Sequence, residues 1–147
     1  MNEKNDSLKK SIIVDTGVLI EFLENSILGK IFSKHFLENK TYQEFYISPL
    51  TDTELKYILC RKSNHEIAKS KINKFLKDFI IFSEKELRDE AFQIKCNFSI
   101  SLADCYSLAI GKLLNIPVLM KRESEIQNLY HELSKNFEIF FIDDFQM

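Results

Sequence analysis

Two rhythms of apolar residues alternate along the chain. Nearly continuous apolar runs at Ser11 to Val14, Phe45 to Ile47, Phe79 to Phe82, Val118 to Met120 and Glu138 to Ile142 read as five short buried strands. Between them the apolar positions recur at helical spacing. Val18, Leu19, Phe22 and Leu23 form one such face, and Ile27, Leu28, Ile31, Phe32, Phe36 and Leu37 continue it. Ser48 and Pro49 are an N-cap and a first helical residue, opening a helix with Leu50, Leu55, Ile58 and Leu59 inward. Further amphipathic helices are predicted over about Asn64 to Lys77, Glu84 to about Lys95, and Glu123 to Leu133. Ser101 begins a strongly patterned helix through Leu102, Leu108, Ala109, Leu113 and Leu114, closed by Asn115 and Pro117. Wholly apolar strands separated by helices are the pattern of a parallel sheet covered on both faces. The expected fold is therefore three-layer α/β/α around a central, mainly parallel five-stranded sheet.

Composition narrows the chemistry. The 147 residues include 3 Gly and 2 Pro, which suits long elements and excludes a sandwich or propeller with frequent turns. Gly17, Gly29 and Gly111 are too far apart for a glycine-rich phosphate cradle or a dinucleotide fingerprint. A formal net charge of −2 gives no global field toward a polyanion, so such a partner has to be met by a local patch or a metal ion. Cys60, Cys96 and Cys105 include no C-x-x-C pair, and His35, His65 and His131 form no H-E-x-x-H. Neither a disulfide framework nor a zinc site is expected, and a reducing cytoplasm is the natural home. Residues 1–10 read as a polar, flexible leader and 11–147 as one domain, with no signal sequence or membrane span expected.

In an open parallel sheet, ligands sit beyond the carboxyl ends of the strands, where strand order reverses. Four acids fall there. Asp15 ends the first strand, Glu54 lies in the second turn of the helix after the second, Asp104 opens the helix before the fourth, and Glu123 follows the fourth. Oxygen donors of this kind suit hard divalent cations. Each acid also has a local alternative. Asp15 and Thr16 are good N-cap residues, Ser101-x-x-Asp104 has the form of a capping box, and Glu123 is an acid favoured at a helix start. Glu54 stands four residues from both Leu50 and Ile58, on a largely apolar stripe where an acid needs a partner. Lys121 and Arg122 face either a substrate phosphate or solvent, while Cys105 reads as a small core residue.

The segments SIIVDTGVLIEFLE, ISPLTDTELKYILCR, SISLADCYSLAIGKLLNIPVLMKRESEI and FEIFFID resemble the conserved blocks of the PIN domain, above all of the VapC-like toxin ribonucleases. The resemblance spans nearly the whole chain and is strongest in the run around Asp104. It implies an acidic pocket that binds Mg²⁺ or Mn²⁺ and cleaves RNA. It also implies an antitoxin partner and a homodimer. Asp15, Glu54 and Asp104 match the family's first three acidic positions. At the fourth, the family reads Thr, any residue, Asp, whereas this chain has Lys121, Arg122 and Glu123. Glu123, Glu125 or Asp143 is left to supply the fourth carboxylate, and one or two ions to be held. Two other readings differ in class. A degenerate PIN-like binding module would place Lys121 electrostatically in a metal position. A phosphorylation receiver domain requires an acceptor Asp at the end of the third strand, where this chain has Ser83 and Glu84.

Overall fold

A computed structural model describes residues 9–147, so the expected leader lies almost wholly outside the described residues. The apolar runs form β1 (Ser11–Val14), β2 (Glu44–Ile47), β3 (Ile80–Ile81), β4 (Val118–Met120) and β5 (Ile139–Phe141). The helices are α1 (Thr16–Leu23), α2 (Ile27–Phe32), α3 (Pro49–Lys62), α4 (His65–Phe75), α5 (Glu86–Asn97), α6 (Leu102–Leu114) and α7 (Ser124–Leu133). All strand pairs are parallel, in the order β3-β2-β1-β4-β5. The chain thus builds outward from β1 to β3, then returns to the other side of β1 for β4 and β5. Because parallel crossovers are right-handed, this reversal sends α1 to α4 to one face and α5 to α7 to the other.

Side chains of successive strand residues point to opposite faces, and each face has its own core. Ile12, Val14, Ile47 and Leu119 pack with Val18, Leu19, Phe32, Leu55 and Ile72. Ile13, Val118, Met120, Ile139 and Phe141 pack with Ala91, Ile94, Leu108 and Ile126. Burial on both faces is why the strands lack apolar and polar alternation. Helix starts follow their local signals. Ser48 Oγ accepts from Thr51 N at 3.2 Å, Asn64 Oδ1 from Ile67 N at 2.9 Å, and Ser101 Oγ from Asp104 N at 3.1 Å. Asn115, with φ of 57°, closes α6 in the left-handed region that Asn tolerates.

Three elements differ from the sequence pattern. β3 spans two residues rather than the four of Phe79 to Phe82, because it is the sheet edge and pairs only with β2. Its Ile80 and Ile81 are exposed, while the flanking Phe79 and Phe82 turn into the two opposite cores. The periodic stretch after Asn25 is not one regular helix, since α2 passes into a π-helical turn at Ser33–Leu37. α4 ends early and continues as a 3₁₀ turn at Leu76–Asp78. Where α2 crosses α1, Gly29 lies so close that a Cβ there would run into the Glu21 carbonyl. Among the described residues no helix is long and apolar enough to cross a membrane.

Candidate active site

The order reversal opens a crevice between the carboxyl ends of β1 and β4. Asp15 follows β1 directly, and its backbone N–H is held by Leu119 O at 2.9 Å. Its backbone has N-cap geometry for α1, yet its side chain makes no capping bond. Instead Oδ1 accepts from Ser107 Oγ at 2.6 Å. The local cap alternative therefore does not account for the carboxylate, which points to α6. Ser107 lies one helical turn beyond Asp104, so the two share a face of α6 turned toward Asp15.

Asp15 and Asp104 are 5% and 8% exposed, an adjacent pair of buried acids. Burial first, and the neighbouring Asp104 second, push the Asp15 carboxyl well above the ordinary carboxylate range, against the lowering effect of Ser107. Burial also raises Asp104. Hydrogen bonds from Ser101 and Asp15 offset part of that rise, and Glu125 and Glu54 add to it. Such a pair holds a proton more readily than two separate carboxylates.

Glu54 reaches the same crevice from α3. Its Oε1 accepts from Thr16 Oγ1 at 2.7 Å, and Thr16 Oγ1 lies 2.9 Å from Thr51 Oγ1, so Thr51 donates to Thr16 and Thr16 to Glu54. Thr16, Thr51 and Ser107 are all buried. These hydroxyls fix the carboxylates in place. Thr16 was named from the sequence only as a capping residue and Thr51 and Ser107 not at all, although Ser107 was legible there as the residue three beyond Asp104.

The fourth position is more open. Glu123 is exposed and is the N-cap residue of α7 without a side-chain cap bond. Partial desolvation of its carboxyl raises its pKa, and Asp104 raises it further, while Lys121 opposes both. Glu125 also faces Asp104. Asp143 is committed elsewhere, since its Oδ1 accepts from Arg122 N at 2.7 Å and supports the turn after β4. Arg122 is drawn away from the crevice, stacked 4.1 Å over Phe141 and bonded to Asp144 and Gln127.

Lys121 turns toward α1. Its Nζ lies 2.6 Å from Glu21 Oε2, and Ser26 Oγ donates to Glu21 Oε1 at 2.5 Å. These two donors, Lys121 foremost, hold the Glu21 carboxyl below its usual range. Gly17 supplies a bare stretch of α1 for the lysine stem. No glycine has positive φ, and a Cβ at Gly17 would stand in ordinary van der Waals contact with that stem. Glu21 was not anticipated from the sequence, because its partner lies 100 residues away.

Among the described residues, no three carboxylate, imidazole or thiol groups stand close enough together to hold an ion as they are. The donor chemistry nevertheless fits a hard divalent cation: the side chains brought together are carboxylates and hydroxyls, and among the described residues no cation acts on the buried acid pair. Two carboxylates also match the usual protein share of Mg²⁺ coordination, with water and phosphate completing it. By contrast, a cleft of about 510 Å³ between α1, α3 and α4 is lined chiefly by Ile20, Leu23, Leu55, Leu59 and Ile72, with Glu24 its one carboxylate.

The family model described as the PIN domain matches residues 12–132. No curated protein sequence matches the chain. Among solved structures, DNA-bound VapBC from Salmonella typhimurium is similar with a TM-score of 0.69 at 14% identity, covering 90% of this chain and 98% of that one. VapBC-1 from nontypeable Haemophilus influenzae gives 0.67 at 12% identity, covering 91% and 99%. VapC20 from Mycobacterium tuberculosis, described as a sarcin-ricin loop cleaving toxin, gives 0.57 at 16% identity, covering 73% and 86%. At these identities the likeness is one of fold.

Proposed function

Since this chain belongs to the PIN domain family, we propose that it is a divalent-metal-dependent endoribonuclease, the toxin of a toxin–antitoxin pair. The observation that carries this reading is the buried pair Asp15 and Asp104 at the strand-order reversal, with Glu54 beside it. Asp15, Glu54, Asp104 and Glu123 would hold Mg²⁺ or Mn²⁺. When bound, such an ion lowers the pKa of water and neutralises charge on a phosphodiester. The chain's own groups set that up. Ser107 orients Asp15 and Thr16 orients Glu54, so both carboxylates are fixed before substrate arrives. The low-dielectric crevice strengthens whatever charge interaction forms there. No covalent nucleophile is required. The Ser107 and Thr16 hydroxyls are committed to carboxylates, and burial pushes the Cys105 thiol up to about 11.

The similar structures with toxin–antitoxin titles support an antitoxin partner, and we extend the proposal to a homodimer in the cytoplasm. A second reading, a PIN-like RNA- or protein-binding module without nuclease activity, is favoured by one observation: Lys121 stands where the family has a small hydroxyl. Purified protein incubated with RNA and Mn²⁺ separates the two. Metal-dependent cleavage that disappears in Asp15→Asn and Asp104→Asn supports the enzyme. Absence of cleavage on every RNA tried, together with no calorimetric Mn²⁺ binding, rejects it.

A further inference from the structure

The acids around the crevice divide into two groups. Asp15 and Asp104 form the inner pair, with Glu54 facing them. Glu21, Glu123 and Asp143 lie further out and all act on Lys121, Glu21 by direct contact and the other two at longer range, while Glu123 also faces Asp104. That lysine is built in rather than loosely attached. Its ammonium lies 2.6 Å from Glu21 Oε2, and the Glu21 side chain is only 16% exposed. The other Glu21 oxygen accepts from Ser26, whose Oγ also accepts from Gly29 N at the start of α2, so the carboxylate is held at both oxygens. The lysine stem crosses α1 at Gly17, where a Cβ would lie 3.4 Å from Lys121 Cβ and 3.8 Å from Cδ. Arg122, next in sequence, is withdrawn onto Phe141 and Asp144 and does not compete for the place.

Resting on the reading of the crevice as a divalent-cation site, we propose that Lys121, clamped by Glu21, is the resident counter-cation of the outer acids, so that the crevice takes up one divalent ion, at the inner pair, rather than two. A two-ion clamp places its cations about 3.5–4 Å apart and needs carboxylates for both. Apart from Glu123, which the single ion would share with Asp104, the acids an outer ion would need are engaged, Glu21 by Lys121 and Asp143 Oδ1 by the Arg122 N–H. A dication entering there has to break the Lys121–Glu21 pair and stand beside the freed ammonium, a charge of its own sign. Among the described residues no such cation acts on the inner pair, which keeps its own demand for countercharge.

The test is Mn²⁺ titrated into the full chain by calorimetry, with bound ions counted from the loss of the free-ion electron paramagnetic resonance signal. The wild-type chain is expected to bind one ion, and Lys121→Arg, which keeps the charge, also one. Lys121→Met and Lys121→Gln are expected to bind two, the second more weakly. Thermal melts confirm which variants are folded, and either neutral variant suffices. In the wild-type background Asp15→Asn is expected to abolish binding. Two ions on the wild type, or one on a folded neutral variant, overturn the proposal and leave the crevice a metal site. No ion on the wild type overturns the metal-site reading and this proposal with it.

Discussion

Folding takes the Asp15 carboxyl out of water and sets it beside Asp104, and the folded chain meets that cost by holding a proton more tightly. The consequence for stability has a definite sign. Below the ordinary carboxylate range both folded and unfolded chains are protonated at this site, and its contribution is fully present. Above that range the unfolded chain has lost the proton while the folded chain still holds it, so stability falls as pH rises through the raised folded value. The metal-free protein is therefore expected to lose stability from acidic toward neutral pH. Asp15→Asn keeps an oxygen to accept from Ser107 but has no charge to bury. It should flatten this decline and leave the chain more stable at neutral pH by about 1–2 kcal/mol. Ser107→Ala removes a bond that favours the ionised form, and should carry the decline to higher pH. Urea unfolding in chelator across a pH series checks both, and a decline unchanged in Asp15→Asn rejects the argument.

At the scale of elements, α1 is the piece on which the crevice is hung. Its start carries Thr16 and Gly17, its last turns carry Glu21, and α2 holds it from behind through Gly29. A Cβ at Gly29 would come 2.7 Å from the Glu21 carbonyl carbon and from Phe22 Cα, backbone atoms with no rotamer to yield. Gly29→Ala is expected to cost about 3 kcal/mol. At Gly111 the nearest atom is a side-chain methyl, Val118 Cγ2 at 2.6 Å, and the first backbone atom, Ile116 O, stands off at 3.1 Å, so Gly111→Ala should cost less, about 1–2 kcal/mol. Denaturant midpoints of the two variants give the ranking, and the reverse order counts against the packing account. Most elements were legible in the sequence because their signals are local: Ser48 with Pro49, Asn64, Ser101 and Asn115 lie within a few residues of the ends they set. The shortness of β3 was not, because being an edge depends on which strand lies alongside.

The molecule as a whole brings together residues that the sequence keeps apart. Asp15, Glu54 and Asp104 were legible as candidates because strand ends in a parallel sheet share one side. The contacts that fix the site were not: Ser107 meets Asp15 across 92 residues, and Lys121 meets Glu21 across 100. A pocket tied across the whole fold couples ion binding to global stability. With Mn²⁺ at about 100 times its dissociation constant, the wild-type chain should gain about 2.7 kcal/mol, read as a higher melting temperature, and Asp15→Asn should gain nothing. An equal shift in both would place the ion elsewhere. The same long reach sets a clock on synthesis. Asp15 leaves the ribosome early, but Asp104, Ser107 and the Leu119 carbonyl that pins the Asp15 backbone emerge roughly a hundred residues later, several seconds at ordinary elongation rates. A nascent chain therefore passes that interval without an assembled crevice. The ribonuclease proposed above would be harmless to the ribosome making it until β4 has paired with β1, an interval in which the proposed antitoxin partner, if already present, has time to arrive.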